Sequence, residues 1–168
     1  MKNERYSILF SSLTGNTRYL ADALKAALPK DKCDYFGEIC ETLPDSEIVY
    51  LGFWTDKGVA DSKALELLKK LKNKKIFLFG TAGFGGSDEY FEKILFKTKE
   101  AIDDSNTVIG EYMCQGKMPQ SVKDRYIKMK EQAKCPPNID MLIENFDRAL
   151  SHPNKDDLDK LVEAAVNI

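Results

Sequence analysis

The sequence predicts an α/β fold in which one parallel sheet is covered by helices on both faces, as a three-layer α/β/α sandwich. Short β-rich runs alternate with helical patterns along the 168 residues, and three of the runs are almost continuously apolar. Such runs are typical of parallel strands buried on both faces, and regular alternation of strand and helix favours a doubly wound sheet. The length suits one core, so we expect a single domain over residues 1–168.

Five runs have the character of strands. They are Tyr6–Phe10, the weaker and mixed run Cys33–Gly37, Ile48–Gly52, Ile76–Gly80 and Val108–Cys114. Five strands in a doubly wound sheet favour the order 2-1-3-4-5, with the mixed run at an edge. Ligands of such sheets bind outside the carboxyl ends of the strands, beside the switch point between strands 1 and 3. The segments that follow strands 1, 3 and 4 are therefore the candidate binding segments.

Apolar residues recur with helical spacing between and after these strands, which predicts amphipathic helices. We interpret these stripes as core packing, and the sequence Cys135–Pro137 as a rigid break between two helices. The stripes are Leu20, Ala23, Leu24 and Leu28; Ala64, Leu67, Leu68 and Leu71; Phe91, Ile94, Leu95 and Ile102; Val122, Tyr126 and Met129; Ile139, Leu142, Ile143, Phe146 and Leu150; and Leu158, Leu161, Val162 and Ala165.

Composition and charge narrow the classes of function. The net charge of -2 argues against a nucleic-acid-binding protein, which usually has a clear basic excess. No apolar run approaches the roughly 18 residues of a membrane span. The four cysteines form no C-x-x-C pair and only one histidine is present, so we expect no metal site. Free thiols and the lack of a secretory signal favour a cytoplasmic protein.

The segment Ser11–Thr17, SSLTGNT, follows the first strand and opens the first helix. A helix N-terminus presents unpaired N–H groups and a partial positive charge, and Gly15 lets the backbone approach a ligand closely. Four hydroxyls and one amide add neutral donors, which together can hold a phosphate monoester. The alternative is simple helix capping, which needs fewer hydroxyls. We therefore predict a phosphate site.

This loop resembles that of the flavodoxin family, whose members carry a T/S-x-T-G-N/x-T sequence after the first strand. The resemblance covers the order of strands and helices through about residue 115, and it implies a flavodoxin-like fold with noncovalently bound flavin mononucleotide (FMN). It also implies that the loop wraps the FMN phosphate. The residues of that loop are Ser11, Ser12, Leu13, Thr14, Gly15, Asn16 and Thr17.

The segment after the third strand reads GFWTDKGVAD and contains two neighbouring aromatic residues. An aromatic face stacks on a flat heteroaromatic ring at little entropic cost. Since flavodoxin-like proteins place an aromatic residue here, Trp54 is our first choice for stacking on the flavin ring and Phe53 the second; packing at the sheet rim is the alternative. The residues expected at the ring edge are Thr55, Asp56, Lys57 and Gly58.

The segment after the fourth strand reads GTAGFGGSD and is rich in glycine at Gly83, Gly85 and Gly86. Glycine allows close approach of the backbone to a ligand. The resemblance implies contacts between backbone groups of this loop and the flavin ring, and we expect Phe84 to cover the second face of the ring. The expected contact residues are Thr81, Ala82, Gly83, Phe84 and Gly85.

Three further segments resemble a subgroup of flavodoxin-like proteins that accompany reductases in anaerobic bacteria, including bilirubin reductase. They are WTDKGVAD, YMCQGKMP at Tyr112–Pro119 and LSHPNKDD at Leu150–Asp157. The resemblance implies an electron carrier that works with a redox partner protein. An NAD(P)H-dependent FMN or quinone reductase and a flavin-free scaffold are the alternatives. The roles of Cys114, Lys117 and His152 stay open.

A phosphatase is a poorer interpretation of the first loop. The spacing of Ser12 and Arg18 mimics a Cys-x₅-Arg phosphatase loop, but serine replaces the thiol nucleophile. Serine is a weak nucleophile without an activating base. The loop therefore favours phosphate binding over phosphate transfer.

Overall fold

Strands and helices alternate along the chain in a computed structural model that describes residues 3–85 and 87–168. Within these residues the elements are β1 Tyr6–Phe10, α1 Asn16–Ala27, a 3₁₀ turn Lys30–Lys32, β2 Cys33–Glu38, β3 Ile48–Asp56, β4 Val59–Ala60, α2 Ser62–Lys70, β5 Lys75–Ala82, α3 Asp88–Lys99, β6 Thr107–Gln115, α4 Gln120–Lys130, α5 Ile139–Ala149 and α6 Lys155–Val166.

The main sheet has the strand order β2-β1-β3-β5-β6, and all four pairings along it are parallel. Leaving aside the two-residue β4, which pairs only with β3, this is the predicted order of five strands. The prediction of a doubly wound α/β sheet is thus confirmed. The switch point lies between β1 and β3, and the carboxyl ends of β1, β3, β5 and β6 meet along one edge.

Helices cover both faces of the sheet. On one face α1 and α6 pack on side chains that include Ile8, Phe10 and Phe79. On the other face α2 and α3 pack on side chains that include Leu9 and Leu51. Ile8, Leu9 and Phe10 alternate between the two faces because successive side chains of a strand point in opposite directions. This arrangement gives the three predicted layers.

β3 continues to Asp56, beyond its predicted end at Gly52. It then turns back through Lys57 and Gly58 into β4, and both turn residues have positive φ, 52° and 83°. Two central residues with positive φ are the mark of a type I′ hairpin turn. A segment expected to be a loop is therefore a tight β-hairpin at the switch point.

α4 and α5 form a helical pair with a small core of its own, built around Tyr126, Ile139 and Phe146. The predicted break at Cys135–Pro137 is confirmed, since it falls between the end of α4 and the start of α5. Within the part of the chain that the structure describes, no helix has the length and apolar character needed to cross a membrane.

Candidate functional site

A cavity of about 320 Å³ opens at the carboxyl edge of the sheet, and all three predicted segments contribute to its wall. Its volume lies within the range of about 300–1,000 Å³ that is usual for small-molecule sites. The predicted residues that line it are Leu13, Thr14, Asn16, Trp54, Thr55, Lys57, Gly58, Thr81, Ala82, Gly83 and Phe84.

The loop after β1 has its shape fixed by its own first residues. The N–H of buried Ser11 donates to the carbonyl of Gly52 at 3.0 Å, which continues the β1–β3 pairing. The hydroxyl oxygen of Ser12 accepts the N–H groups of Gly15 and Arg18 at 3.1 and 3.3 Å. Gly15 has a φ of 92°, which favours glycine. These residues shape the loop, and the exposed Thr14 lines the cavity.

Thr17 faces the core. Its side chain is only 1% exposed, and its hydroxyl donates to the carbonyl of Phe53 at 3.1 Å. The hydroxyl oxygen also lies 3.2 Å from that of Thr81. The expectation that this hydroxyl faces a phosphate is therefore wrong in this structure, because Thr17 ties α1 to β3 and β5.

Trp54 and Phe53 point to opposite sides of β3, as neighbours in a strand must. The side chain of Trp54 lines the cavity and is half-buried. Phe53 is 0% exposed and packs in the core with Leu51 and Leu68. The prediction of Phe53 as a second stacking residue is therefore wrong, because its ring has no access to a ligand.

The hairpin is fixed to its neighbours beside the cavity. The hydroxyl of Thr55 donates to the carbonyl of Thr81 at 2.8 Å, and the N–H of Asp61 donates to the carbonyl of Trp54 at 3.0 Å. Lys57 and Gly58 line the cavity, whereas Asp56 is exposed outside its described wall. The hairpin therefore presents Trp54, Lys57 and Gly58 to a ligand.

The loop after β5 is held by two side-chain amides. The carbonyl of Gly83 accepts Nε2 of Gln115 at 3.0 Å and Nδ2 of Asn145 at 3.1 Å. Phe84 is 37% exposed at the cavity wall. Gly85 lies against the ring of Phe91 instead of in the described wall, and Gly86 falls outside the described residues.

A fourth segment, Gly116–Pro119, completes the wall together with Tyr90, and none of these residues was among those predicted to bind the cofactor. The N–H of Gly116 donates to the carbonyl of Ala82 at 2.9 Å. Nδ2 of Asn16 donates to the carbonyl of Lys117 at 2.8 Å. Ligands of such sheets bind at the carboxyl ends of the strands, and applying this rule to β6 as well as to its neighbours would have predicted this segment.

Several titratable side chains lie at this edge of the sheet. Lys57 and Lys117 line the cavity. Burial raises the pKa of the Tyr90 phenol, which stays neutral near pH 7. His152 and Asp157 form a pair, with Nδ1 and Oδ2 2.6 Å apart. No group of three or more metal-binding side chains occurs within residues 3–85 and 87–168.

Comparison with known proteins identifies the family. A family model described as a flavodoxin domain matches residues 7–166. The chain belongs to the flavodoxin family. This confirms the predicted membership and agrees with the sheet order of the fold.

Two curated relatives of this flavodoxin-family chain are each called flavodoxin-like domain-containing protein BilS. The one from Clostridium symbiosum (strain WAL-14163) is 37% identical over 171 residues, covering 92% of this chain and 90% of the relative. The one from Clostridioides difficile (strain CD3) is 32% identical over 155 residues, covering 90% and 88%. The chain therefore groups with the BilS proteins inside the flavodoxin family, as the predicted subgroup resemblance implies.

Two solved structures are similar to this chain at low sequence identity. Two-electron reduced flavodoxin from Megasphaera elsdenii is 23% identical, with a TM-score of 0.47, and the match covers 86% of this chain and 99% of that one. A flavoprotein in complex with FMN from Lactobacillus acidophilus NCFM is 15% identical, with a TM-score of 0.49, over 66% and 93%.

Proposed function

We propose that this chain is an FMN-dependent electron-transfer protein that exchanges electrons with a partner reductase. The observation that carries the proposal is the cavity at the switch point of a flavodoxin-family sheet, where the segments after β1, β3 and β5 converge. FMN is the cofactor that membership of this family implies, and the residues around the cavity suit its two ends.

The loop after β1 suits the phosphate of FMN. Residues 11–17 contain no charged side chain, so the donors are the N–H groups at the start of α1 and the exposed hydroxyl of Thr14. The first N–H groups of a helix have no partner inside the helix and carry partial positive charge. Ser12 already accepts the N–H groups of Gly15 and Arg18, so the remaining N–H groups at the start of α1 are the donors available to the phosphate.

The hairpin and the loop after β5 suit the isoalloxazine ring. Trp54 offers an aromatic face, and Phe84 lines another part of the same cavity. Bound FMN supplies the redox chemistry, and the protein supplies its position and electrostatic environment. We assign Lys57 to offset negative charge at the ring edge, and the Lys57–Gly58 turn to supply backbone groups there.

A carrier fits the cavity better than an enzyme with its own substrate. The described residues of its wall include no carboxylate, histidine or thiol that would act as an acid or base. The four cysteines are free thiols, which agrees with a partner in the reducing cytoplasm. We therefore assign the chemistry on a substrate to a separate reductase, with which this chain exchanges electrons.

An anaerobic titration tests the proposal. The purified protein should bind one FMN per chain with a visible flavin spectrum, and its bound flavin should stay oxidised after NADPH alone is added. A catalytic amount of a flavodoxin reductase should then bleach it. Bleaching by NADPH alone would favour a stand-alone FMN or quinone reductase, and a colourless protein that ignores added FMN would favour a flavin-free scaffold.

A further inference from the structure

We propose that Lys117 is the counter-ion of the bound phosphate, supplied by the segment after β6 because the phosphate loop holds no charge of its own. The inference rests on the proposed function, since it concerns the phosphate of FMN. A phosphate monoester carries about 1.5 to 2 negative charges at pH 7. Neutral donors solvate that charge, and a nearby ammonium group adds an attraction that only the phosphorylated flavin experiences.

Lys117 lies between two cavities that border the phosphate loop. It lines the 320 Å³ cavity described above and also a second cavity of about 390 Å³. Thr14 and Asn16 of the phosphate loop line both cavities as well. Among the described lysines and arginines, Lys117 alone lines both, which places it beside the loop rather than beside the ring.

The backbone of Lys117 is fixed on both sides. Its carbonyl accepts Nδ2 of Asn16 at 2.8 Å, and its N–H donates to the carbonyl of His152 at 2.8 Å. A Cβ added to the preceding residue, Gly116, would lie 2.6 Å from Nδ2 of Asn16, so glycine permits this close approach. The side-chain amide of Asn16, predicted from the sequence to bind the phosphate, here holds the backbone of the residue that carries the charge.

The charge of Lys117 is available to a ligand. Within residues 3–85 and 87–168, its ammonium group has no ion-pair partner. Asp157, the buried acid in the first turn of α6, already pairs with His152 and accepts the N–H of Asn154 at 2.8 Å. Lys57 lines the first cavity but not the described wall of the second. Of the lysines and arginines that the structure describes, Lys117 is therefore the one that borders both cavities beside the phosphate loop.

The test compares FMN with riboflavin, which lacks the phosphate. Flavin fluorescence titrations of the wild type and of Lys117→Met should show an FMN Kd raised about tenfold by the substitution, as expected for loss of a charge-assisted contact. The riboflavin Kd should stay the same. Added salt should weaken FMN binding to the wild type more than to the variant, because salt screens the attraction. Lys117→Arg should restore most of the affinity.

The matched control is Lys128→Met, which removes the same charge from an exposed position on α4. It should leave the Kd of both flavins unchanged. Equal changes for FMN and riboflavin in Lys117→Met, or no change for either, would overturn the inference while leaving the proposed function intact. Failure of the wild type to bind either flavin would instead overturn the proposed function. Lys117→Gln, as a second substitution, and a far-UV circular dichroism spectrum of each variant test whether a changed Kd comes from misfolding.

Discussion

Trp54 and Asp61 are joined by two hydrogen bonds across the β3–β4 hairpin. The N–H of Trp54 donates to Oδ1 of Asp61 at 3.3 Å, and the N–H of Asp61 donates to the carbonyl of Trp54 at 3.0 Å. Oδ2 of the same carboxylate accepts the N–H of Ala64 at 3.3 Å and caps α2. One buried acid, 2% exposed, thus fixes both the cavity aromatic and the helix that follows it.

Replacing this acid should destabilise the protein. In Asp61→Ala, α2 loses its cap and the N–H of Trp54 loses its acceptor, so the free energy of unfolding should fall by about 2–3 kcal/mol. Urea denaturation measures the change. Asp56→Ala, at an exposed position of the same hairpin, should stay within about 0.5 kcal/mol of the wild type. Equal losses in the two variants would contradict the role of Asp61.

Removing the Trp54 ring should weaken flavin binding more than folding. Stacking of an aromatic pair contributes about 0.5–1.5 kcal/mol beyond the buried area, and the apolar area that the ring buries adds to this. Trp54→Ala should therefore raise the FMN Kd about tenfold or more and shift the reduction potentials. Trp54→Phe should have a smaller effect. Flavin titration and redox titration measure both. Unchanged affinity and potentials in Trp54→Ala would remove the stacking assignment.

The fold was predictable because buried parallel strands are continuous apolar runs, such as Tyr6–Phe10, and strand–helix alternation indicates a doubly wound parallel sheet. The faces of individual side chains at the site were less predictable. Assigning Phe53 to the core required knowing that β3 continues to Asp56, because alternation then decides which aromatic faces inward. The partner of Asn16 is Lys117, about a hundred residues away, and no local pattern encodes that contact.

The two threonines of the phosphate loop should separate binding from stability. Thr14→Val should raise the FMN Kd about fivefold with little effect on the riboflavin Kd, because it removes one neutral hydrogen-bond donor that contributes about 1 kcal/mol.

Thr17→Val should lower the free energy of unfolding by about 1–2 kcal/mol, since it leaves the carbonyl of Phe53 without the donor that Thr17 supplies. Its ratio of FMN to riboflavin affinity should match that of the wild type.

Flavin titrations and urea denaturation of both variants measure these effects. The reverse pattern, with Thr17→Val selectively impairing FMN binding, would show that the Thr17 hydroxyl turns from the core to the phosphate when FMN binds.

Alkaline pH should destabilise the protein through the thiol of Cys114, which is 3% exposed between the sheet and α6. Burial, with a smaller contribution from the charge of Asp157, raises the pKa of this thiol well above its usual range. Above about pH 8.5 the unfolded chain releases the thiol proton while the folded chain keeps it. The folded state then binds more protons, so the free energy of unfolding falls as pH rises.

Urea denaturation at a series of pH values measures this dependence. In the wild type the contribution of Cys114 should approach a loss of about 1.4 kcal/mol per pH unit above the thiol pKa of the unfolded chain. Cys114→Ala should remove that contribution, although its stability at neutral pH is lower because a small cavity remains. Cys40→Ala, at an exposed position, should keep the wild-type dependence. Identical pH profiles for the wild type and Cys114→Ala would show that the Cys114 thiol ionises as readily in the folded protein as in the unfolded chain.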